Sequence, residues 1–414
     1  MSNLLPAHRP HSFAHLARCA LGGAATALLV STAAAQTAGY TVKVINPPFT
    51  GSWSNCGAEF IADNGDVAGR CSTVLGVVFQ SGFPVRLVQY RPVVWRAGSS
   101  SPTTLSVPSG QSAYYIHGID AQGRVAASME PTSRGSITAT VTYSGSQRIN
   151  WPLLYDPVRY FITDGVNAQG QVALSPKYPT GEASNIVIAG PTGTVNVPPP
   201  PNVVTGQGKV KMETSASGFM LTLNDLGQIA LVTTDDNPDF YGTGRLNARA
   251  WFWNGQTWLE IPGPDGGTWP GDNNLAVRSL NNNGQVLLSE YTLVGQMVRM
   301  RRYLWRQGSA PVALPEEVQE YPSNGLNIVA DNGDVVGAAP FANVQNLPRY
   351  GRNRAAVWRN GQLIDLNTLA TPPSGYTFVE VGDVNTKGQL LVWMDALSVT
   401  TSTSRLRPVL LIPR

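Results

Sequence analysis

Histidine is nearly absent from the body of this chain. Of four histidines in 414 residues, His8, His11 and His15 stand at the start and His117 alone comes later. His-rich zinc and copper sites are thereby excluded. Charge is scarce as well, at 13% of residues, and the Lys and Arg residues are scattered rather than gathered with aromatics into a basic patch. A nucleic-acid partner is therefore not expected. After residue 35 no apolar run approaches the about 20 residues that a spanning helix needs, and almost no helical periodicity is visible.

The first 35 residues read as a secretory signal. Arg9 and Arg18 precede an apolar run from Cys19 to Val30, and small residues at Ser31 to Ala35 place cleavage before Gln36. The mature chain, 36–414, is expected to be secreted or periplasmic and not inserted in a membrane. Loss of Arg9 and Arg18 leaves 27 basic residues against the 26 acidic ones, so the basic pI of the full chain says nothing about anionic partners. Of three cysteines, only Cys56 and Cys71 remain in the mature chain. They flank a turn at Asn64 almost symmetrically, which predicts a cross-strand disulfide in an oxidising compartment.

What the chain does have is a repeated turn. Gly65, Gly123, Gly170, Gly227, Gly284, Gly333 and Gly388 stand 58, 47, 57, 57, 49 and 55 residues apart. Four residues before each is an aliphatic residue (Ile61, Ile119, Val166, Leu223, Leu280, Val329, Val384). Two residues after is another (Val67, Val125, Val172, Ile229, Val286, Val335, Leu390). Asp120, Asn167, Asn224, Asn281 and Asn385, three residues before the glycine, suit position i of a type I turn, because a side-chain oxygen there can accept from backbone two residues on. The glycine then takes the left-handed conformation that closes a three-residue hairpin loop. Two copies have Ala62 and Ala330 at that place and are expected to form a tight hairpin of a different type around Asn-Gly.

Each repeat carries four strand-like segments, clearest in the fourth: Gly218 to Leu223, Ile229 to Thr233, Arg249 to Trp253 and Trp258 to Ile261. The third segment commonly ends in an aromatic residue, as at Trp95, Tyr155, Trp253, Trp305 and Trp358. Recurrence in register with the fold assigns these aromatics to packing between neighbouring units. The third repeat has only Ile186 to Ala189 here, and in the second the segment is read as Trp151 to Tyr155. Seven four-stranded units at this period predict an all-β, seven-bladed β-propeller of antiparallel blades in one domain over 36–414. The last unit lacks a fourth strand and residues 39–46 are a spare one, so the ring is expected to close by pairing chain start with chain end.

The Asn-x-x-Gly-Gln-Val units, followed by Ala-x-x-Trp-Arg-Asn-Gly-Gln as at Arg354 to Leu363, resemble the HAF repeats of bacterial extracellular proteins over most of residues 56–412. The His-Ala-Phe triplet that names those repeats is absent. The resemblance implies a secreted, propeller-like repeat protein with no established reaction, and carries over no catalytic residue.

The short turns gather on one face of such a propeller and the long variable connections on the other, where function on a rigid scaffold is commonly placed. Phe240, Tyr241, Trp269, Tyr321 and Tyr350 on those connections are candidates to line a glycan or protein cleft. Asp235, Asp236 and Asp239 could offer oxygens to calcium, although they lack the spacing of an EF-hand loop. His117, beside Tyr115 on a strand, reads as a core residue. These features imply a monomeric exported scaffold that binds a glycan or a protein surface, with no required cofactor. The alternative is a glycoside hydrolase or polysaccharide lyase working through paired carboxylates, which needs no histidine.

Overall fold

All seven repeat glycines adopt positive φ, between +69° at Gly284 and +86° at Gly65 and Gly333, so each copy of the motif is the same sharp reversal. In every copy the glycine N–H donates to the carbonyl three residues back, as Gly284 to Asn281 at 3.1 Å and Gly65 to Ala62 at 2.9 Å. Ala62 and Ala330 do not change the turn type, contrary to the sequence expectation. The side-chain role moves two residues on, where Asn64 Oδ1 accepts from Asp66 N and Asn332 Oδ1 from Asp334 N.

The computed structural model describes residues 39–45, 55–80, 83–99, 101–132, 139–144, 147–150, 160–162, 166–176, 186–201, 210–212, 221–235, 248–269, 274–294, 297–315, 317–319, 325–347, 350–397 and 406–414. Residues Ala38–Arg414 form one compact unit. It opens with β1 (Tyr40–Val44) and then winds through seven antiparallel blades. Blade 1 holds β2 (Asn55–Ile61), β3 (Val67–Gln80), β4 (Phe83–Trp95) and β5 (Pro102–Thr104). Blade 2 holds β6 (Gln111–Ile119), β7 (Val125–Pro131), β8 (Ala139–Ser144) and β9 (Gln147–Asn150). Blade 3 holds β10 (Tyr160–Ile162), β11 (Val172–Pro176), β12 (Ile186–Gly190) and β13 (Gly193–Val197). Blade 4 holds β14 (Val210–Met212), β15 (Leu221–Leu223), β16 (Ile229–Asp235), β17 (Arg249–Trp253) and β18 (Trp258–Ile261). Blade 5 holds β19 (Asn274–Leu280), β20 (Gln285–Val294), β21 (Met297–Arg306), β22 (Val312–Ala313) and β23 (Glu317–Gln319). Blade 6 holds β24 (Leu326–Val329), β25 (Val335–Pro340), β26 (Asn353–Arg359) and β27 (Gln362–Asp365), followed by the single-turn helix α1 (Leu366–Leu369). Blade 7 holds β28 (Tyr376–Val384), β29 (Leu390–Ala396) and β30 (Arg407–Pro413).

The fourth strand of blade 7 is β1. It pairs antiparallel with β30 from Tyr40 opposite Pro413 to Val44 opposite Val409, and Arg414 N donates to Gly39 O at 3.1 Å. Chain start and chain end thus close the ring, as the spare strand predicts. Tyr40 anchors the closure in a core shared with Phe378, Leu390 and Val409 of blade 7 and Val357 of blade 6.

The cores lie between blades rather than within them. One cluster joins Leu231 and Trp251 of blade 4 to Ile186 and Ile188 of blade 3. Another joins Phe252 of blade 4 to Leu288 and Trp305 of blade 5. Each large aliphatic side chain buried there contributes about 1.5–3 kcal/mol. The recurring third-strand aromatic holds a fixed register opposite the residue two after the repeat glycine: Val67 with Trp95, Ile229 with Trp253, Val286 with Trp305 and Val335 with Trp358. In blade 2 that place belongs to Tyr143, opposite Val125. Trp151 to Tyr155 is therefore not the third strand of blade 2, which is Ala139–Ser144. Tyr143 is fully buried and its hydroxyl donates to Ser106 O at 2.6 Å.

Cys56 and Cys71 face each other on β2 and β3 and form the expected disulfide, with Cα atoms 4.0 Å apart. It ties the innermost two strands of blade 1 together beside the seam with blade 7.

Candidate functional site

The aromatic residues expected to line a cleft are not brought together. Trp269 is 4% exposed, its indole N–H donates to Ile261 O at 3.0 Å, and its ring meets Tyr303 edge-on at 5.3 Å. It is a core residue of the blade 4–blade 5 seam, because its indole finds a strand-end carbonyl and an aromatic partner there. Tyr350 is half-buried in the loop before β26. Asp235 ends β16, paired with Val210 of β14. Phe240, Tyr241, Tyr321, Asp236 and Asp239 lie outside the described residues. No group of three His, Cys, Asp or Glu placed to hold a metal occurs among the described residues. His117 is buried with Nε2 2.5 Å from the Oγ of Ser128, which is itself fully buried.

The innermost strands instead converge on a central cavity of about 310 Å3 that opens at the short-turn face. Every blade contributes to its wall, through residues such as Phe60, Gly118, Val166, Thr222, Ser279, Ile328 and Asp383. A β-bulge near the end of the first strand recurs in blades 1, 2, 5, 6 and 7, at Ala58/Phe60, Ile116/Gly118, Val277/Ser279, Leu326/Ile328 and Val381/Asp383. An extra residue there re-aims the strand just before its turn. In each of these blades the residue after the bulge reaches the cavity.

The mouth is held rigid by the repeated turns. Asn281 shows the pattern: Oδ1 accepts from Asn283 N at 3.1 Å and Gln285 N at 2.9 Å, while Nδ2 donates to Gln285 Oε1 and to Ala330 O of the next blade, both at 2.8 Å. Asn167, Asn224 and Asn385 donate likewise to Asn224 O, Asn281 O and Ala62 O. The following turn residue adds a second clasp. Ala168, Asp225, Asn282 and Thr386 each donate a backbone N–H to Asp225, Asn282, Asp331 and Asp63 respectively. Where Asp120 or Ala62 replaces the asparagine, arginine bridges the gap. Arg124 reaches Gln169 O at 3.0 Å, and Arg96, paired with Asp66, reaches Gly123 O at 3.3 Å. Between blades 6 and 7, Arg359 is held by Asp334 and also hydrogen-bonds the Tyr40 hydroxyl.

Four carboxylates and one guanidinium line this cavity among the described residues: Asp63, Asp225, Asp331, Asp383 and Arg278. Three of the acids sit on the clasping turns. Asp383 is different, because it occupies the post-bulge position that elsewhere holds Phe60, Gly118, Thr222, Ser279 or Ile328. Its oxygens accept from Ile61 N and Val384 N, both at 2.8 Å. Burial among the inner strands pushes its pKa up to about 7, the two backbone N–H groups oppose that rise, and the negative charge of Asp63 adds to it. Part of its surface still faces the water of the cavity. Below about pH 7 the site thus holds a protonated acid whose ionisation is opposed by the charge of Asp63, an arrangement able to donate or exchange a proton inside a concave site. Thr222 Oγ1, in the same wall, has no hydrogen-bond partner among the described residues.

No protein-family model matches the chain, and no curated protein matches it. Among solved structures, polysaccharide lyase Uly1 is similar at 7% identity and a TM-score of 0.47, over 89% of this chain and 92% of that one. An ulvan lyase of polysaccharide lyase family PL25, bound to -[GlcA(1-4)Rha3S]-, aligns at 10% identity and a TM-score of 0.35, over 73% and 75%. Trypanosoma rangeli sialidase aligns at 10% identity and a TM-score of 0.34, over 90% of this chain and 58% of that one. These similarities of arrangement assign no residue of this chain a role.

Proposed function

We propose that this chain is an exported binding or surface-interaction propeller that receives its ligand in the central cavity at the short-turn face. The observation that carries the reading is the cavity itself, lined by residues of all seven blades and girdled by turn-to-turn hydrogen bonds. A site of this kind is already organised before its ligand arrives, so little ordering cost is left to binding. Its volume, near the lower end for small-molecule sites, suits one or two sugar units or a single protruding side chain. The apolar leader of residues 1–35 and the disulfide support export, and the Asn-x-x-Gly-Gln-Val units support kinship with HAF-repeat proteins.

The test is a glycan and protein array with the mature chain, repeated with Thr222→Trp, which fills the cavity from its wall. Loss of the array signal in a variant with unchanged melting temperature supports the cavity as the site. An unchanged signal moves the ligand elsewhere on the molecule.

A second reading, carboxylate-based glycoside hydrolysis or polysaccharide lysis, is favoured by one observation: burial and the charge of Asp63, which lines the same cavity, push the pKa of Asp383 up to about 7. In that reading Asp383 donates the proton to the departing oxygen and Asp63 is the second carboxylate of the pair. A screen for newly released reducing ends or unsaturated uronates decides it. Turnover that vanishes in Asp383→Asn supports catalysis; turnover that survives removes this pair from it.

A further inference from the structure

The wall of the cavity is made of strand edges, and one backbone position in each blade turns its N–H toward it. In every repeat the residue three before the glycine makes the closing bond of the hairpin, as Asp120 N to Arg124 O at 2.9 Å and Asn281 N to Gln285 O at 3.1 Å. The residue before it therefore has its N–H on the other edge of the strand, turned away from its own blade. These residues are Ile61, Ile119, Val166, Leu223, Leu280, Val329 and Val384, and every one of them lines the cavity.

The protein itself shows what such an N–H takes. Asp383 Oδ2 accepts from Ile61 N and Oδ1 from Val384 N, both at 2.8 Å, so one carboxylate bridges blades 7 and 1. Ser279 Oγ accepts from Val329 N at 3.2 Å, joining blade 5 to blade 6. In both cases the acceptor stands five residues before the repeat glycine and serves the next blade. The same frame holds Phe60 in blade 1, Gly118 in blade 2 and, in the sequence, Gly165 in blade 3, none of which has a side-chain acceptor. In blade 4 it holds Thr222, whose hydroxyl has no partner among the described residues. The N–H groups of Ile119, Val166, Leu223 and Leu280 are thus left without an acceptor among the described residues. Glycine keeps one of them open: a Cβ at Gly118 would lie 2.8 Å from Val166 N.

These open donors stand on consecutive blades and make one arc of the wall. Arg278 lines the cavity at the blade 5 end of the arc, with Nε donating to Ser289 Oγ at 2.6 Å. Backbone N–H groups without a partner are rare in folded proteins, and a concave set of them beside a guanidinium favours an anion. A carboxylate fits the spacing, since Asp383 already spans adjacent blades with its two oxygens on the other side of the same ring. The mouth limits the charge that can enter. Asp63, Asp225 and Asp331 accept there from Thr386 N, Ala168 N and Asn282 N, with no ion pair among the described residues, so a polyanion is repelled.

We propose that the arc of Ile119, Val166, Leu223 and Leu280 is a subsite for a ligand carboxylate, whose two oxygens accept from the N–H groups of adjacent blades while Arg278 balances its charge. This rests on the reading that the cavity receives the ligand, and it narrows that ligand to one bearing a single carboxylate.

Amide-resolved NMR of the isotope-labelled mature chain, titrated with acetate, glucuronate and N-acetylalanine, tests this. The expected result is a saturable downfield shift of the Ile119, Val166, Leu223 and Leu280 amides, with those of Ile61 and Val384 unmoved. Acetate should bind about tenfold or more tighter than acetamide. The tightest of the three carboxylates tells whether the group comes from a free acid, an acidic sugar or a peptide end. Thr222→Asp puts into blade 4 the side chain that Asp383 supplies in blade 7. It should shift the Leu223 and Leu280 amides without ligand and weaken acetate by about tenfold or more. No saturable shift in the parent chain, equal affinity for acetate and acetamide, or a Thr222→Asp variant that binds acetate as the parent does overturns the proposal. If acetate fails while Thr222→Trp still abolishes the array signal, the carboxylate subsite alone is removed; an array signal indifferent to Thr222→Trp removes the cavity reading with it.

Discussion

One asparagine side chain does two jobs in this fold. Asn281 shapes its own turn by accepting from Asn283 N and Gln285 N, and joins two blades by donating to Ala330 O. Asn281→Asp separates the jobs, since Oδ1 is kept and the donor is lost. Removing one buried donor's bond costs about 1–3 kcal/mol, so urea unfolding should report a loss of that order for Asn281→Asp and a larger one for Asn281→Ala. The turn-forming half was legible in the sequence, because it depends on residues two and four away. The clasping half was not, because Ala330 is 49 residues distant and only the rotation between blades brings it near.

Asp383 was missed for a related reason. Its neighbours in sequence make it look like one more turn-flanking acid, and the available signal was its frame: it is the one charged residue at a position where the other described repeats place Phe60, Gly118, Thr222, Ser279 and Ile328. Its raised pKa gives a signed prediction. The folded state holds the proton up to about pH 7, whereas the unfolded chain releases it near the usual carboxylate value of about 4. Between those limits the folded state binds more protons, so this group lowers stability as pH rises from about 4 to about 7, and its effect is constant above that. Urea midpoints measured across this window should show the downward component in the parent chain and its absence in Asp383→Asn. An identical slope in both would mean that Asp383 is already ionised in the folded protein at low pH.

At the scale of elements, strands with strong local patterning were found and short ones were not. The spare strand at residues 39–46 was identified because the last unit lacked a partner, and β1 fills that place with five paired residues. β14, β23 and α1, of three, three and four residues, are too short for any periodicity and exist only because a neighbouring strand or turn offers them backbone partners. Trp151 to Tyr155 misled because an apolar run ending in an aromatic outweighed the weaker alternation of Ala139 to Ser144, where Tyr143 meets the register of the fold. Deleting residues 36–46 should expose the β30 edge and strip Tyr40 from the core it shares with Phe378 and Val409. A sharp fall in melting temperature is expected; an unchanged transition would mean that the closing strand is dispensable.

For the whole molecule, the repeat period alone announced the architecture, since seven equal frames leave few arrangements other than a ring. The location of the cavity did not follow from it. Variable loops drew attention to the opposite face, whereas the concave site lies where the conserved-looking frames meet, and its polar lining comes from single residues in each frame rather than from a motif. The ring also constrains how the molecule comes into being. Its first strand, Tyr40–Val44, has no partner until its last, Arg407–Pro413, has been synthesised. Blades 1 to 6 can form in the order in which they are made, but blade 7 and the circle are completed only by the final residues, so the leading strand must wait, unpaired, for the whole remainder to be made.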